Sequence, residues 1–154
     1  MTPTTGDDRP LTASELLVVA ERLQRRLAAG LAVALADERT TVDQWRTLEL
    51  VDRLDGPTMG RLAEASGLPN ATVSRVVDAL EDSATLFRLP DPGDRRRITV
   101  RLTDTGRDRL ARLRHLVAAW DAAVAEELAT SDAAPDAAHV RRAAGLPAAE
   151  LPSW

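Results

Sequence analysis

Cysteine is absent from this 154-residue chain. Lysine is absent as well, so every permanently cationic side chain is an arginine. Without cysteine the chain forms neither disulfides nor thiolate metal sites. A sensor that responds to oxidants through a reactive thiolate is excluded for the same reason. We attribute the exclusive use of arginine to genomic composition and not to function.

Histidine is scarce, and the residue types suited to catalysis are not grouped. The two histidines, His115 and His139, are far apart in the sequence. The chain contains no glycine-rich phosphate-binding loop and no set of side chains at metal-ligand spacing. We therefore expect no enzymatic activity, no metal site and no cofactor.

A signal peptide, long apolar runs and low-complexity segments are also missing, which favours a single soluble, cytoplasmic domain without membrane contact. The formal net charge of −4 argues against a general nucleic-acid binder. Positive charge is nevertheless concentrated in residues 86–101, where five Arg and two Asp give a local balance of +3. Any DNA affinity should therefore depend on this segment and on dimerisation, because the flanking regions are acidic.

The helix predicted at residues 70–80 has one apolar and one polar face. Its apolar residues recur at i, i+3, i+4 and i+7, namely Val73, Val76, Val77 and Leu80. The opposite face carries Ala71, Arg75 and Asp78, flanked by Thr72 and Ser74. Small polar side chains beside one arginine suit a helix that lies in the major groove of DNA. Asp78 follows Arg75 by three residues, so we expect an ion pair that orients the guanidinium.

A short helix and a turn precede this segment, and two strands follow it. Thr58 is the expected N-cap of the first helix, and residues 66–69 supply the turn, with Pro69 at the first helical position. Residues 86–89 and 98–102 have strand-like patterns. They are separated by a turn signal at 91–94. This order predicts a winged helix-turn-helix with three arginines exposed at the hairpin tip.

Long amphipathic helices flank the predicted winged helix. Thr12 and Glu15 form the pattern of a capping box for the first helix, which should continue to about residue 37. Its apolar stripe consists of Leu16, Ala20, Leu23, Leu27, Leu31 and Leu35. The stripe exceeds what one small domain needs to cover, so we predict an intersubunit surface; the alternative is a helix packed on its own domain.

Two further helices complete the pattern. Thr41 and Gln44 form a second capping box, which opens a helix that should stop at residues 55–57. Thr103 is the N-cap candidate of a last long helix. Its apolar residues, at spacings of three and four, are Leu110, Leu113, Val117, Trp120, Val124 and Leu128. This seam resembles that of a coiled coil and predicts pairing with the symmetry mate, before a break at residues 132–135.

This ordered set of motifs resembles the MarR family of winged-helix transcriptional regulators over roughly residues 41–128. The matching segments are Asp43-Gln44-Trp45-Arg46-Thr47-Leu48, Arg61-Leu62-Ala63, residues 72–81, Asp91-Pro92-Gly93-Asp94-Arg95-Arg96-Arg97 and Leu102-Thr103-Asp104-Thr105-Gly106. No single segment is specific, but their order and spacing together are. The resemblance implies a mainly α fold: a winged helix-turn-helix with long N- and C-terminal dimerisation helices and a two-stranded β wing.

The resemblance also implies roles for individual residues. The major-groove contacts would come from Asn70, Thr72, Ser74 and Arg75, although the two hydroxyls are compatible with plain helix surface. The wing residues Arg95, Arg96 and Arg97 would place an arginine in the minor groove, whose negative potential attracts a guanidinium. The alternative for these three is a solvated charge cluster. Asp94 would be a structural acceptor that orients Arg96.

A small aromatic effector would bind, by the same resemblance, between the dimerisation helices and the DNA-binding lobe. The candidate lining residues are Leu23, Leu27, Trp45, His115 and Trp120, each of which is also compatible with core packing. The expected function is a homodimeric repressor that binds a double-stranded DNA operator and is relieved by the effector. The alternative is a winged-helix protein-interaction module that does not bind DNA.

The predicted organisation has five segments: a flexible N-terminus at 1–10, a dimerisation helix at 11–40, the winged-helix DNA-binding domain at 41–102, dimerisation helices at 103–145 and a tail at 146–154. Two features depart from the family pattern. Ala84 stands where glycine is usual, so we expect the preceding helix to end in another geometry or to extend slightly. The final segment, with a short helix at 136–144, is weakly apolar, which leaves its place in a dimer open.

Overall fold

The computed structural model describes residues 12–91, 93–94 and 96–129. Its elements are α1 (Ala13–Leu35), a 3-10 turn (Ala36–Glu38), α2 (Val42–Arg53), α3 (Met59–Ser66), α4 (Asn70–Asp82), β1 (Leu86–Pro90), β2 (Ile98–Leu102) and α5 (Asp104–Ala129). The predicted fold class, a mainly α winged helix-turn-helix with a two-stranded wing, is confirmed. The segments predicted at 1–10, 132–135, 136–144 and 146–154, together with Arg95, lie outside the described residues.

Threonines begin four of the helices, as predicted: Thr12 before α1, Thr41 before α2, Thr58 before α3 and Thr103 before α5. Each hydroxyl accepts a hydrogen bond from a backbone N–H of the first turn, which has no partner inside the helix. At Thr12 the contact is reciprocal, since its Oγ1 accepts from the Glu15 amide at 3.3 Å and its amide donates to the Glu15 carboxylate at 2.8 Å. These helix starts follow from local chemistry alone.

The start of α4 differs by one residue from the prediction. Pro69 is the N-cap and Asn70 is the first helical residue. The Pro69 carbonyl accepts from the amides of Thr72 and Val73 at 2.9 and 3.1 Å, so it already takes part in the first turn. Proline suits this position because it has no N–H to satisfy.

The end of α4 corrects the prediction made for Ala84. Its φ of +54° is the left-handed conformation that glycine usually adopts after a helix. The Thr85 amide donates to the Leu80 carbonyl at 2.9 Å and the Ala84 amide to the Glu81 carbonyl at 2.8 Å, which closes the turn. An L side chain in this conformation costs about 1–2 kcal/mol. Surrounding contacts offset that cost, because the Thr103 hydroxyl donates to the Ala84 carbonyl at 2.7 Å.

The first turn of α5 lies directly against the end of α4. A Cβ on Gly106 would be 2.1 Å from the Thr85 carbonyl oxygen, so only glycine permits this approach. The same oxygen accepts from the Thr103 amide at 3.1 Å. Arg109 donates to the hydroxyls of Thr85 and Thr40 at 3.1 and 2.8 Å. These contacts join α5 to the segment after α4 and to the residue Thr40 before α2, through main-chain atoms and one arginine.

The wing is an antiparallel hairpin in which Leu86 pairs with Leu102 and Pro90 with Ile98. An isolated bridge between Thr58 and Thr99 ties β2 to the start of α3. The base of the hairpin therefore belongs to the core of the domain, while its tip extends beyond the core.

One apolar cluster includes residues from all five helices and both strands: Leu31, Leu35, Trp45, Leu48, Leu50, Val51, Leu62, Ala63, Val73, Val77, Leu80, Leu86, Val100, Leu102, Leu110, Leu113 and Val117. The last turns of α1 and the first half of α5 are thus part of the same core as the winged helix. None of the helices within the described residues combines the length and apolar character that a membrane span requires.

This packing corrects the predicted seam of α5. Leu110, Leu113 and Val117 are buried inside their own subunit, and only the later part of the seam, at Trp120 and Val124, is half-exposed. The side chain of Leu128 is not among those described. Since α5 lies along α1 and α2 in the same chain, the first half of the seam is not available to a symmetry mate.

Candidate nucleic-acid interface

The outer face of α4 presents the side chains predicted to contact bases. Asn70, Ser74 and Arg75 are exposed, and Thr72 is half-buried. The opposite face is anchored by core residues, which determines the direction in which the outer face points. Among the residues that the structure describes, no carboxylate forms an ion pair with Arg75. The guanidinium is therefore available to an external anion.

The partner of Asp78 is not the predicted one. Instead of Arg75, it binds Arg88 of β1, with 2.6 Å between Arg88 Nη2 and Asp78 Oδ1. Arg88 also binds the Glu81 carboxylate through Nη1, and its amide donates to Glu81 Oε1 at 3.3 Å. Burial disfavours the charged form of Arg88, but these hydrogen bonds outweigh it and raise its pKa above the ordinary value.

Arg88 was missed in the sequence analysis, although it carries a detectable signal. It lies in a strand between two apolar residues, Phe87 and Leu89, at a position that faces the same side as buried Leu86. A charged side chain on the core-facing side of a strand requires a partner, because a buried charge is otherwise costly. The acidic residues one turn apart at the end of α4 supply it.

The tip of the wing is shaped by two aspartates. Asp91 Oδ1 accepts from the amides of Gly93 and Asp94 at 2.7 and 3.2 Å. Asp94 Oδ1 accepts from the Arg96 amide at 3.1 Å, and its Oδ2 lies 3.7 Å from Arg97 Nε. Asp94 thus holds the main chain of Arg96 and the side chain of Arg97, whereas the prediction placed the Arg96 guanidinium beside it.

Arg96 and Arg97 are exposed at this tip. Arg97 also lines a cleft of about 570 Å³ between the wing and the start of α3, together with Arg61 and Thr58. The start of α3 and the wing therefore border the same cleft, which is also lined by Glu64.

The predicted effector pocket is only partly assembled. A cavity of about 510 Å³ between α1, α2 and α5 is lined by Leu23, Leu27, Trp45 and Trp120. His115 is exposed and does not line this cavity, because its position on α5 faces away from α1. Trp45 is also part of the buried core, so the two interpretations of this residue are compatible.

Ion pairs connect α5 to the rest of the lobe close to this cavity. Arg114 Nε and Nη2 lie 3.0 and 2.7 Å from the carboxylate of buried Glu49, and Nη2 is 2.7 Å from Asp52 Oδ2. The hydrogen bond to Glu49 is the main reason that the pKa of Arg114 is raised. Arg112 binds Glu38 at 2.9 Å, and this hydrogen bond lowers the pKa of Glu38. None of these pairs was predicted, because their members are more than 60 residues apart.

An exposed second helix after a tight turn, followed by an arginine-bearing hairpin, defines a winged helix-turn-helix protein. Residues 40–98 match the model of the MarR family. The predicted resemblance to the MarR family is confirmed over this segment, which runs from the start of α2 to the wing. Among the described residues there is no group of three or more His, Asp or Glu side chains that could hold a metal ion.

Solved structures share this fold. CouR, a transcriptional repressor bound to a 23-mer DNA duplex, is 28% identical, with 89% of this chain and 98% of CouR covered and a TM-score of 0.73. RV1404 from Mycobacterium tuberculosis is 26% identical, covering 91% and 99%, with a TM-score of 0.67. BpsR of Bordetella bronchiseptica is 22% identical, covering 89% and 96%, with a TM-score of 0.73. No curated protein sequence matches the chain significantly.

Proposed function

We propose that this protein is a dimeric, sequence-specific DNA-binding transcriptional regulator. The observation that carries the proposal is the combination, on one packed unit, of an α4 face with an unpaired Arg75 and a wing that exposes Arg96 and Arg97. CouR, which is similar to this chain, is a repressor bound to duplex DNA, and this similarity supports a DNA-binding function here. Repression is the mode we propose.

In the proposed complex α4 lies in the major groove. Asn70, Thr72, Ser74 and Arg75 face the base edges and phosphates, with Arg75 as the main contact, because a guanidinium binds guanine or phosphate in a bidentate manner. The wing crosses the backbone and brings an arginine of residues 95–97 to the minor groove. Asp94 supports this tip by its hydrogen bond to the Arg96 amide.

Dimerisation is proposed from the N-terminal half of α1. Large apolar side chains are exposed there in one subunit, namely Leu16, Leu17, Val18, Val19 and Leu23. Leu16, Val19 and Leu23 recur at i, i+3 and i+7 and so share one face of α1, and an exposed apolar face of this kind marks an association site. A two-fold dimer would present two recognition helices to successive half-sites of a pseudo-palindromic operator.

Effector relief is proposed from the cavity between α1, α2 and α5. Its size, about 510 Å³, and its aromatic and aliphatic walls suit a small aromatic molecule. BpsR, which shares the fold, has its DNA binding regulated by 6-hydroxynicotinic acid. Arg114 connects α5 to Glu49 of α2 beside this cavity. A ligand in the cavity would therefore change how α5 packs against α2 of the DNA-binding lobe.

The experiment is selection of bound duplexes from a random-sequence library by the purified protein, followed by affinity measurements on the enriched sequence. Replacing Arg75 and Arg96 together by Ala should weaken binding at least about 30-fold, since each arginine contact contributes about 1–3 kcal/mol. Arg46→Ala with Arg107→Ala is the matched control and should bind normally, because both arginines are exposed and lie outside α4, the wing and the proposed dimer surface.

Salt dependence separates this function from a protein-interaction module, which the net charge of −4 would also suit. Binding through several phosphates falls steeply between about 50 and 200 mM salt, whereas an apolar protein interface responds little. Full affinity in the Arg75 and Arg96 double variant would show that these residues do not form the site. Enrichment of no sequence would overturn the proposed function.

A further inference from the structure

The recognition helix carries two acidic residues near its proposed DNA face. Asp78 follows Ser74 by four residues and Arg75 by three, so these side chains are neighbours on one exposed face of α4. The Asp78 side chain is 59% exposed, and Glu81 follows it by three residues. Carboxylates at this position would repel the phosphates on either side of the major groove.

Arg88 binds both carboxylates from the wing side. Its two terminal nitrogens contact different acids, Nη2 that of Asp78 at 2.6 Å and Nη1 that of Glu81, while its amide donates to Glu81 as well. The side chain of Arg88 is only 26% exposed, so these contacts are shielded from solvent on one side. One planar guanidinium therefore spans a full helical turn of α4.

The geometry points to Arg88 as a positioning residue for DNA binding, which acts by holding Asp78 and Glu81 toward the wing and neutralising part of their charge. This inference rests on the proposed function. Arg88 itself need not touch DNA, because its donors are directed to the two carboxylates. By bridging β1 to α4 it also sets the angle between the wing and the recognition helix.

Two other roles for Arg88 make different predictions. If Arg88 contacted a phosphate directly, its loss could not be repaired by removing the two negative charges. If it served stability alone, affinity per folded molecule would not change when it is replaced. Neutralising the carboxylates in the absence of Arg88 distinguishes positioning from both.

The test uses fluorescence anisotropy at one salt concentration with a duplex that the wild-type protein enriches from a random library. Arg88→Gln should weaken binding about tenfold, because two uncompensated carboxylates then face the phosphates. Adding Asp78→Asn and Glu81→Gln to Arg88→Gln should restore affinity to within about threefold of wild type, since no charge is left to mask. Thermal melting of each variant reports the folded fraction.

Arg107→Gln is the matched control, because Arg107 also forms an ion pair with an acidic residue, but its partner, Asp104, lies on α5. It should bind like wild type. Arg88→Lys provides a second variant that keeps the charge but loses the planar fork, and it should bind more tightly than Arg88→Gln and more weakly than wild type.

Unchanged affinity of Arg88→Gln, or a triple variant as weak as Arg88→Gln, would overturn the inference while leaving the proposed function intact. If the wild-type protein enriches no duplex, the proposed function and the inference both fail.

Discussion

The two ends of the α1 and α5 pair differ in what covers their apolar residues. At the end near the winged helix, which we call the closed end, Leu31 and Leu35 of α1 and Leu113 of α5 are buried in the subunit core. At the other, open end, Leu16 and Leu23 are 45% and 43% exposed in the same subunit. The apolar spacing along α1 is the same at both ends.

The difference shows that periodicity reports which face of a helix is apolar and not what the face packs against. At the closed end the helix pair packs against α2 and β2. This is because Gly106 permits close contact between the first turn of α5 and Thr85, and Arg109 donates a hydrogen bond to Thr85. The open end extends past these contacts. Breaking the closed end should therefore unfold the protein, and breaking the open end should separate the subunits of the proposed dimer.

The largest effect is expected from removing volume at the closed end. Leu113→Ala should lower the free energy of unfolding by about 3 kcal/mol, because Leu113 is fully buried and its loss leaves a cavity. Urea denaturation at fixed protein concentration measures this. Val33→Ala, at a position that is 77% exposed, should change the same free energy by less than about 0.5 kcal/mol. Equal losses in the two variants would contradict the comparison.

A smaller effect is expected from adding charge at the open end. Leu16→Glu with Leu23→Glu should weaken dimerisation at least about 100-fold, because carboxylates in an apolar interface lose hydration without gaining partners. Sedimentation velocity over a range of protein concentrations measures the equilibrium. Ala29→Glu, exposed on the other side of α1, is the control and should leave association unchanged. Unaltered association of the double variant would place the dimer contact elsewhere.

The smallest effect concerns an ion pair of the closed end. Arg112 lowers the pKa of Glu38 below its ordinary value of 4.5, so the pair stabilises the folded state above that pH. This contribution should disappear as pH falls through the lower folded-state pKa. Arg112→Ala should therefore be less stable than wild type at pH 7, and the difference should shrink below about pH 4.5 in thermal melts. The open-end pair is tested by Arg26→Ala, which should melt like wild type at both pH values because both partners are exposed. A constant difference across pH for Arg112→Ala would show that Glu38 is not responsible.

Much of the fold could be predicted because its signals are local. The hydroxyls of Thr12, Thr41 and Thr58 accept hydrogen bonds within three residues, so helix starts are visible in short segments. The wing was predictable for the same reason, since residues 91–94 form a turn and the flanking strands have matching apolar patterns. The exposed position of Arg75 followed from helical spacing.

The remaining features depend on residues distant in the chain. Asp78 was expected to pair with Arg75. It pairs instead with Arg88, which binds the Glu81 carboxylate at the same time. Ala84 was expected to avoid the left-handed conformation, yet a hydroxyl from Thr103 supports it there. His115 was a candidate for the effector pocket, but it is exposed on α5 and does not line the cavity.

The amino-acid order by itself determined the threonine-capped helix starts, the turn chemistry of the wing and the faces of α1, α4 and α5, because caps, turns and periodicity act over a few residues. Only the tertiary structure decided which half of each apolar stripe is buried and which arginine neutralises the acids of α4. These outcomes depend on how the helices and strands pack. Packing brings together charged groups and carbonyls that are distant in the sequence, and local sequence patterns do not predict such contacts.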